Sequence, residues 1–103
     1  MQLYVIHRRN AWKTPAELQA AAAKSTKVGN EEMPNDVRWI RSYVVNHTDG
    51  TLGTACIYQA SSVEAIREHA RRVGMPADEI LPVVDTVVVR PDPQAAKTDS
   101  KAA

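Results

Sequence analysis

The chain has 103 residues, 44% of them hydrophobic, which suits one domain. Thirteen basic and 12 acidic residues give a formal net charge of +1, which leaves no electrostatic case for nucleic acid or an anionic membrane surface. The single cysteine, Cys56, cannot form an internal disulfide, so the fold does not rely on an oxidising compartment.

In chain order, residues 3–7 form a short apolar, β-branched run that reads as a first strand. That run is too short for a signal-peptide core, and its charges follow it rather than precede it, so a cytoplasmic location is expected. No run approaches the length of a membrane span. A turn over 10–13 leads to Thr14-Pro15-Ala16-Glu17, where Thr14 is placed as N-cap, Pro15 at the first helical position and Glu17 to close a capping box. The helix runs through four alanines to about Val28, with Gly29 and Asn30 ending it. Leu18 and Val28 aside, its inner face is alanine, so it is expected to lie close to the sheet.

Residues 37–46 read as a second strand, 47–51 as a hairpin turn marked by Asp49-Gly50, and 53–60 as a third strand. Ser61 is placed as the cap of a second helix, with Val63, Ile66, Ala70 and Val73 as its apolar stripe. On its outer side Glu64 and Glu68 stand at pairing distance from Arg67, Arg71 and Arg72, a solvated and internally paired surface. Gly74 and Pro76 end that helix. A last strand is expected over 80–89, with Pro82 at an edge or bulge. Residues 1–90 make one domain, and the small, polar, aperiodic stretch 91–103 reads as a disordered tail. The order βαββαβ predicts an α+β, ferredoxin-like fold: a four-stranded antiparallel sheet with both helices on one face. A domain this small gains from pairing, so a homodimer of the dimeric α/β-barrel type is expected.

Alternation divides the central strands into two sets. Ile40, Ser42, Val44, Ala55, Ile57 and Gln59 are the natural partners of the helices. The other set places Trp39, Tyr43, Cys56 and Tyr58 on the face that no helix covers. A bare face of that kind needs a second subunit, a ligand, or both. Two readings stand: the aromatics fill a dimer core, or they line a ligand cavity.

Metal-capable side chains are His7, Cys56, His69 and His47, none at a local metal spacing such as H-x-x-x-H or C-x-x-C. Cys56, mid-strand, reads first as a small inert hydrophobe. His69 flanks the helix stripe and reads as a boundary residue bonded to a carbonyl, or as a ligand or base. His7 ends a strand and His47 sits in a turn, where exposure is the default. There is no G-x-S-x-G and no glycine-rich phosphate loop, and no catalytic residue is assigned.

Trp39-Ile40-Arg41-Ser42-Tyr43-Val44, Cys56-Ile57-Tyr58-Gln59-Ala60, Ile66-Arg67-Glu68-His69-Ala70, Gly74-Met75-Pro76 and Ile80 form a spaced set, joined by Thr14-Pro15-Ala16-Glu17-Leu18. The set resembles a bacterial domain-of-unknown-function family of small ferredoxin-like proteins that includes a nickel-binding member. The resemblance covers roughly residues 3–88. It implies a dimer through the open sheet faces and nickel as the cofactor to test, since thiolate and imidazole suit nickel or copper. It points to Tyr43, Cys56, Tyr58 and His69. Two departures stand out: His7 replaces an acidic residue, and the hairpin through residues 46–53 is longer than the family's.

Three functions compete. The first is a homodimer binding a transition metal, nickel, or a small molecule, with His7, Cys56 and His69 as metal candidates and Trp39, Tyr43, Cys56 and Tyr58 as cavity candidates. The second is a cofactor-independent enzyme of the dimeric α/β-barrel type, acting on a small organic substrate on the open sheet face; its mark is a histidine with a carboxylate partner facing a closed pocket. The third, RNA binding, lacks both the basic patch and the K/R-G-F/Y pattern, and the chain has no Phe.

Overall fold

The computed structural model describes residues 1–92. Its elements follow the expected order: β1 (Gln2–Trp12), α1 (Pro15–Lys27), β2 (Val37–Asn46), β3 (Leu52–Ala60), α2 (Val63–Val73) and β4 (Glu79–Pro82). The strands form one antiparallel sheet in the order β2-β3-β1-β4, with both helices on the Tyr58 side. This is the ferredoxin-like fold.

The local signals work as their chemistry dictates. Thr14 Oγ1 accepts from the Glu17 N–H at 3.2 Å, and the Glu17 carboxylate reaches back to the Lys13 N–H at 2.8 Å. Gly50 has φ +87° in the hairpin and Gly74 has φ +84° at the α2 C-cap, both left-handed conformations that favour glycine. The cap of α2 is Ser62, whose Oγ accepts from Ala65 N–H at 3.1 Å, while Ser61 instead donates to Asp36 at 3.0 Å. Between α1 and β2 a π-helical turn, Val28–Glu32, carries the chain around the end of the helix. On the outside of α2, Glu68 pairs with Arg71 at 2.6 Å and Arg72 at 2.7 Å, and these hydrogen bonds hold its carboxyl down at about 2.

Four further expectations need correction. β1 does not stop at His7; it continues to Trp12 across an irregularity between Arg8 and Trp12, where Asn10 takes φ +51°. The last strand does not reach Val89. β1 begins at Gln2 and already faces Pro82 with Tyr4, so after Val83 donates to Leu3 the chain has nothing left to pair with. Residues 84–90 instead leave the β4 edge and cross the open face toward β2, where Asp92 meets Arg41 and Tyr43, and Val84, Val87, Val88 and Val89 stay exposed.

The third correction is the assignment of faces. Cys56 and Tyr58 point toward the helices with Tyr4 and Ile6 and share one buried core with Ile66 of α2, while Ile57 is half-buried on the open side. Amphipathic side chains can sit inside because their polar tips find partners there. In β2 the register with β3 slips between Trp39 and Arg41, leaving Ile40 as an extra residue. Trp39 is therefore on the helix side, stacked on Tyr58 at 6.1 Å, whereas Tyr43 is on the open side. The fourth is α1: its alanines do not bring it down onto the sheet, and within it only Ser25 is buried.

Candidate ligand cavity

The alanine surface of α1 leaves a cavity of about 430 Å³ between that helix and the sheet. Ala21, Ala22 and Leu18 form its roof, Cys56, Tyr58 and Thr54 of β3 its floor, and Trp12, Trp39 and Met75 its apolar walls. Both tryptophans of the chain thus line it. A polar chain crosses the floor. Trp39 Nε1–H donates to Ser42 Oγ at 2.8 Å, Ser42 Oγ donates to Cys56 Sγ at 2.9 Å, and the thiol donates to Thr54 Oγ1 at 3.1 Å. The Tyr58 hydroxyl shares a 2.9 Å hydrogen bond with Ser25 of α1. Burial pushes the Tyr58 phenol up from its ordinary value, so it stays protonated at neutral pH.

A second, smaller cavity of about 160 Å³ lies beyond Tyr58, bordered by Ser25, Gly29, Val37 and His69. His69 Nε2 stands 3.1 Å from the Ser25 carbonyl, which as acceptor requires the proton on Nε2 and leaves Nδ1 a bare lone pair. That Nδ1 is buried without a partner. Burial also lowers the His69 pKa, keeping the ring neutral.

Three of the four cavity residues expected from the sequence, Trp39, Cys56 and Tyr58, meet in the larger cavity, on the opposite side of the sheet from the one expected. Tyr43 does not join them; its hydroxyl donates to Asp92 at 2.8 Å on the open face, where Arg41 pairs with the same carboxylate at 2.9 Å. The metal candidates scatter. Cys56 borders the larger cavity and His69 the smaller. His7 sits on the other face, 3.9 Å from Glu79. His47 packs in the hairpin near Gly53, where a Cβ would come within 2.6 Å of its Nε2. Sequence reasoning missed Arg8, Ser25, Ser42 and Thr54. The signal for Arg8 was the alternation Tyr4-Ile6-Arg8, which puts it inside once the strand is allowed to run on.

A family model described as nickel responsive protein SCO4226-like matches residues 4–83. The chain belongs to this family. A solved structure, the crystal structure analysis of SCO4226 from Streptomyces coelicolor A3(2), superposes with a TM-score of 0.65 over 82% of this chain and 99% of that one, at 21% identity. At that identity the likeness shows a shared fold. No curated protein sequence matches the chain.

The family's name raises nickel, and the donors can be tested against it. Among the described residues no group of three or more His, Cys, Asp or Glu side chains is placed to hold a metal ion. With Cys56 and His69 in separate cavities and His7 across the sheet, the three do not fit one ion within a single chain. Nor is the mark of the enzyme reading present among the described residues: His69 faces a carbonyl, and His7 meets Glu79 on a half-exposed face. No described helix is long and apolar enough to cross a membrane.

Proposed function

We propose that this member of the SCO4226-like family is a small-ligand-binding protein whose site is the cavity between α1 and the sheet. The observation that carries the reading is the cavity itself. Its volume, about 430 Å³, falls in the range of small-molecule sites, roughly 300–1,000 Å³, and its apolar walls converge on a few placed polar groups. A roof of alanine keeps it open, where leucines would have filled it.

The working unit of this proposal is a homodimer joined through the open sheet faces. Leu3, Val5 and Ile57 lie half-buried there, and a groove of about 740 Å³ separates them from residues 83–92, whose Val84, Val87, Val88 and Val89 are exposed. A second copy would cover both apolar surfaces at once. Sedimentation velocity is expected to give a dimer that Val88→Asp converts to monomer; a wild-type monomer at high protein concentration removes this part of the proposal.

The cavity is tested with 2-naphthamide, a neutral aromatic probe, followed by quenching of Trp12 and Trp39 emission. Saturable binding is expected, weakened at least about tenfold (~1.4 kcal/mol) in Ala22→Leu. Unaltered binding in that variant would place the probe elsewhere.

Nickel enters as a second reading, favoured by the facing of His7 and Glu79 across β1 and β4 on the open side. Two copies would bring two such pairs toward each other, and imidazole with carboxylate suits a divalent metal. Nickel retained after dialysis by wild type but not by His7→Ala supports it. Retention by both His7→Ala and Glu79→Gln would exclude this pair.

A further inference from the structure

We infer that the ligand of the helix-side cavity is a small organic carboxylate with an aromatic or branched apolar body, and that Arg8 binds its charge. The inference rests on the cavity reading above and deepens it. Arg8 lines the cavity and is only 1% exposed, the largest of the fully buried side chains. Its Nη1 donates to the Pro76 carbonyl at 2.6 Å, and its Nη2 is buried without a partner. The guanidinium lies 5.8 Å from the centroid of the Tyr58 ring. Neither neighbour carries a charge that cancels its own.

A guanidinium stays protonated in a protein interior, so the charge cannot be shed as a buried lysine would shed it. Buried charges are ordinarily paired, and an unpaired one is costly. Among the described residues Arg8 has no ion-pair partner, and no residue lining the cavity is acidic. The other arginine at the cavity, Arg41, is already paired with Asp92 on the far face. The cavity therefore holds one uncompensated positive charge amid apolar walls. A singly charged anion completes it, and the planar fork matches a carboxylate. Trp12, Trp39, Leu18 and Met75 surround the space left for the rest of the molecule.

The experiment compares 2-naphthoate with 2-naphthamide by calorimetric titration into the full chain. The two probes share a body and differ in charge. Wild type is expected to prefer the carboxylate by at least about tenfold. Arg8→Met is expected to abolish the preference while still binding the amide, and Arg8→Lys to keep part of it. Equal affinity of wild type for both probes overturns the inference and leaves the cavity reading standing; it needs no variant to fold. A preference that persists in Arg8→Met overturns the role of Arg8. Failure of both probes to bind overturns the cavity reading and the inference together. Chloride competing as well as 2-naphthoate at equal concentration would make this an inorganic-anion site and overturn the organic-acid assignment.

Discussion

The two helices lie over the same face of one sheet and do opposite work. α2 buries Ile66, His69, Ala70 and Val73 and closes half the core; α1 buries Ser25 alone and roofs an empty space. The fold repeats its βαβ unit, yet one copy supplies the packing and the other the cavity. The difference lies in the inward side chains. Branched residues on α2 reach the sheet, whereas alanines on α1 stop short of it. A domain this small can leave one half unfilled only if the other half carries the stability.

The largest effect is expected at α2. Ile66 is fully buried, so Ile66→Ala should cost about 2–5 kcal/mol in urea unfolding. Leu18→Ala on α1, where the side chain is half-buried beside the cavity, should cost well under about 2 kcal/mol on the same principle. Equal losses would mean that α1 shares the core after all. The link between the halves comes next. Tyr58→Phe removes the hydroxyl held by Ser25 of α1 and should destabilise by about 1 kcal/mol. Smaller still, Ala22→Leu adds apolar volume to an existing space rather than to a packed core, so its stability should stay within about 1 kcal/mol of wild type, against about 1–3 kcal/mol for overpacking.

A pH titration sharpens the same contrast from the side of α2. Burial, with Arg8 and Arg72 nearby, depresses the His69 pKa in the folded state, and only the Ser25 carbonyl opposes. The unfolded chain therefore takes up the proton first as pH falls. Stability should be full above the ordinary histidine value, about 6.5, and should decline below it until the folded-state pKa is reached. His69→Gln is expected to flatten that decline, and an unchanged slope would assign it to other groups.

Much of this was legible before any coordinates. Thr14-Pro15, Asp49-Gly50 and Gly74 punctuate the chain through local chemistry, so the elements and the fold class could be read from neighbours in sequence. Trp39, Cys56 and Tyr58 could be picked out by type. Their face could not, because aliphatic content seemed the better guide to the interior, and the inward pull of Tyr58 comes from Ser25, 33 residues away. The bulge at Ile40 is a relation between two strands and has no glycine or proline to announce it. The early end of β4 is fixed by where β1 begins. Arg8 falls past the end of the strand expected over residues 3–7, and an arginine is not ordinarily found buried without a charged partner.

The bulge at Ile40 also bears on how copies of this chain can meet. β2 is an outer strand of the sheet, and its far side offers backbone groups to any passing strand. An extra residue there breaks the regular spacing that a newcomer would need, and Arg38 and Arg41 add charge beside it. The opposite margin, β4, is four residues long. Both rims are thus poor templates for lengthening the sheet sideways, which protects the protein from fibre-like growth and leaves its broad surfaces as the ground for self-association.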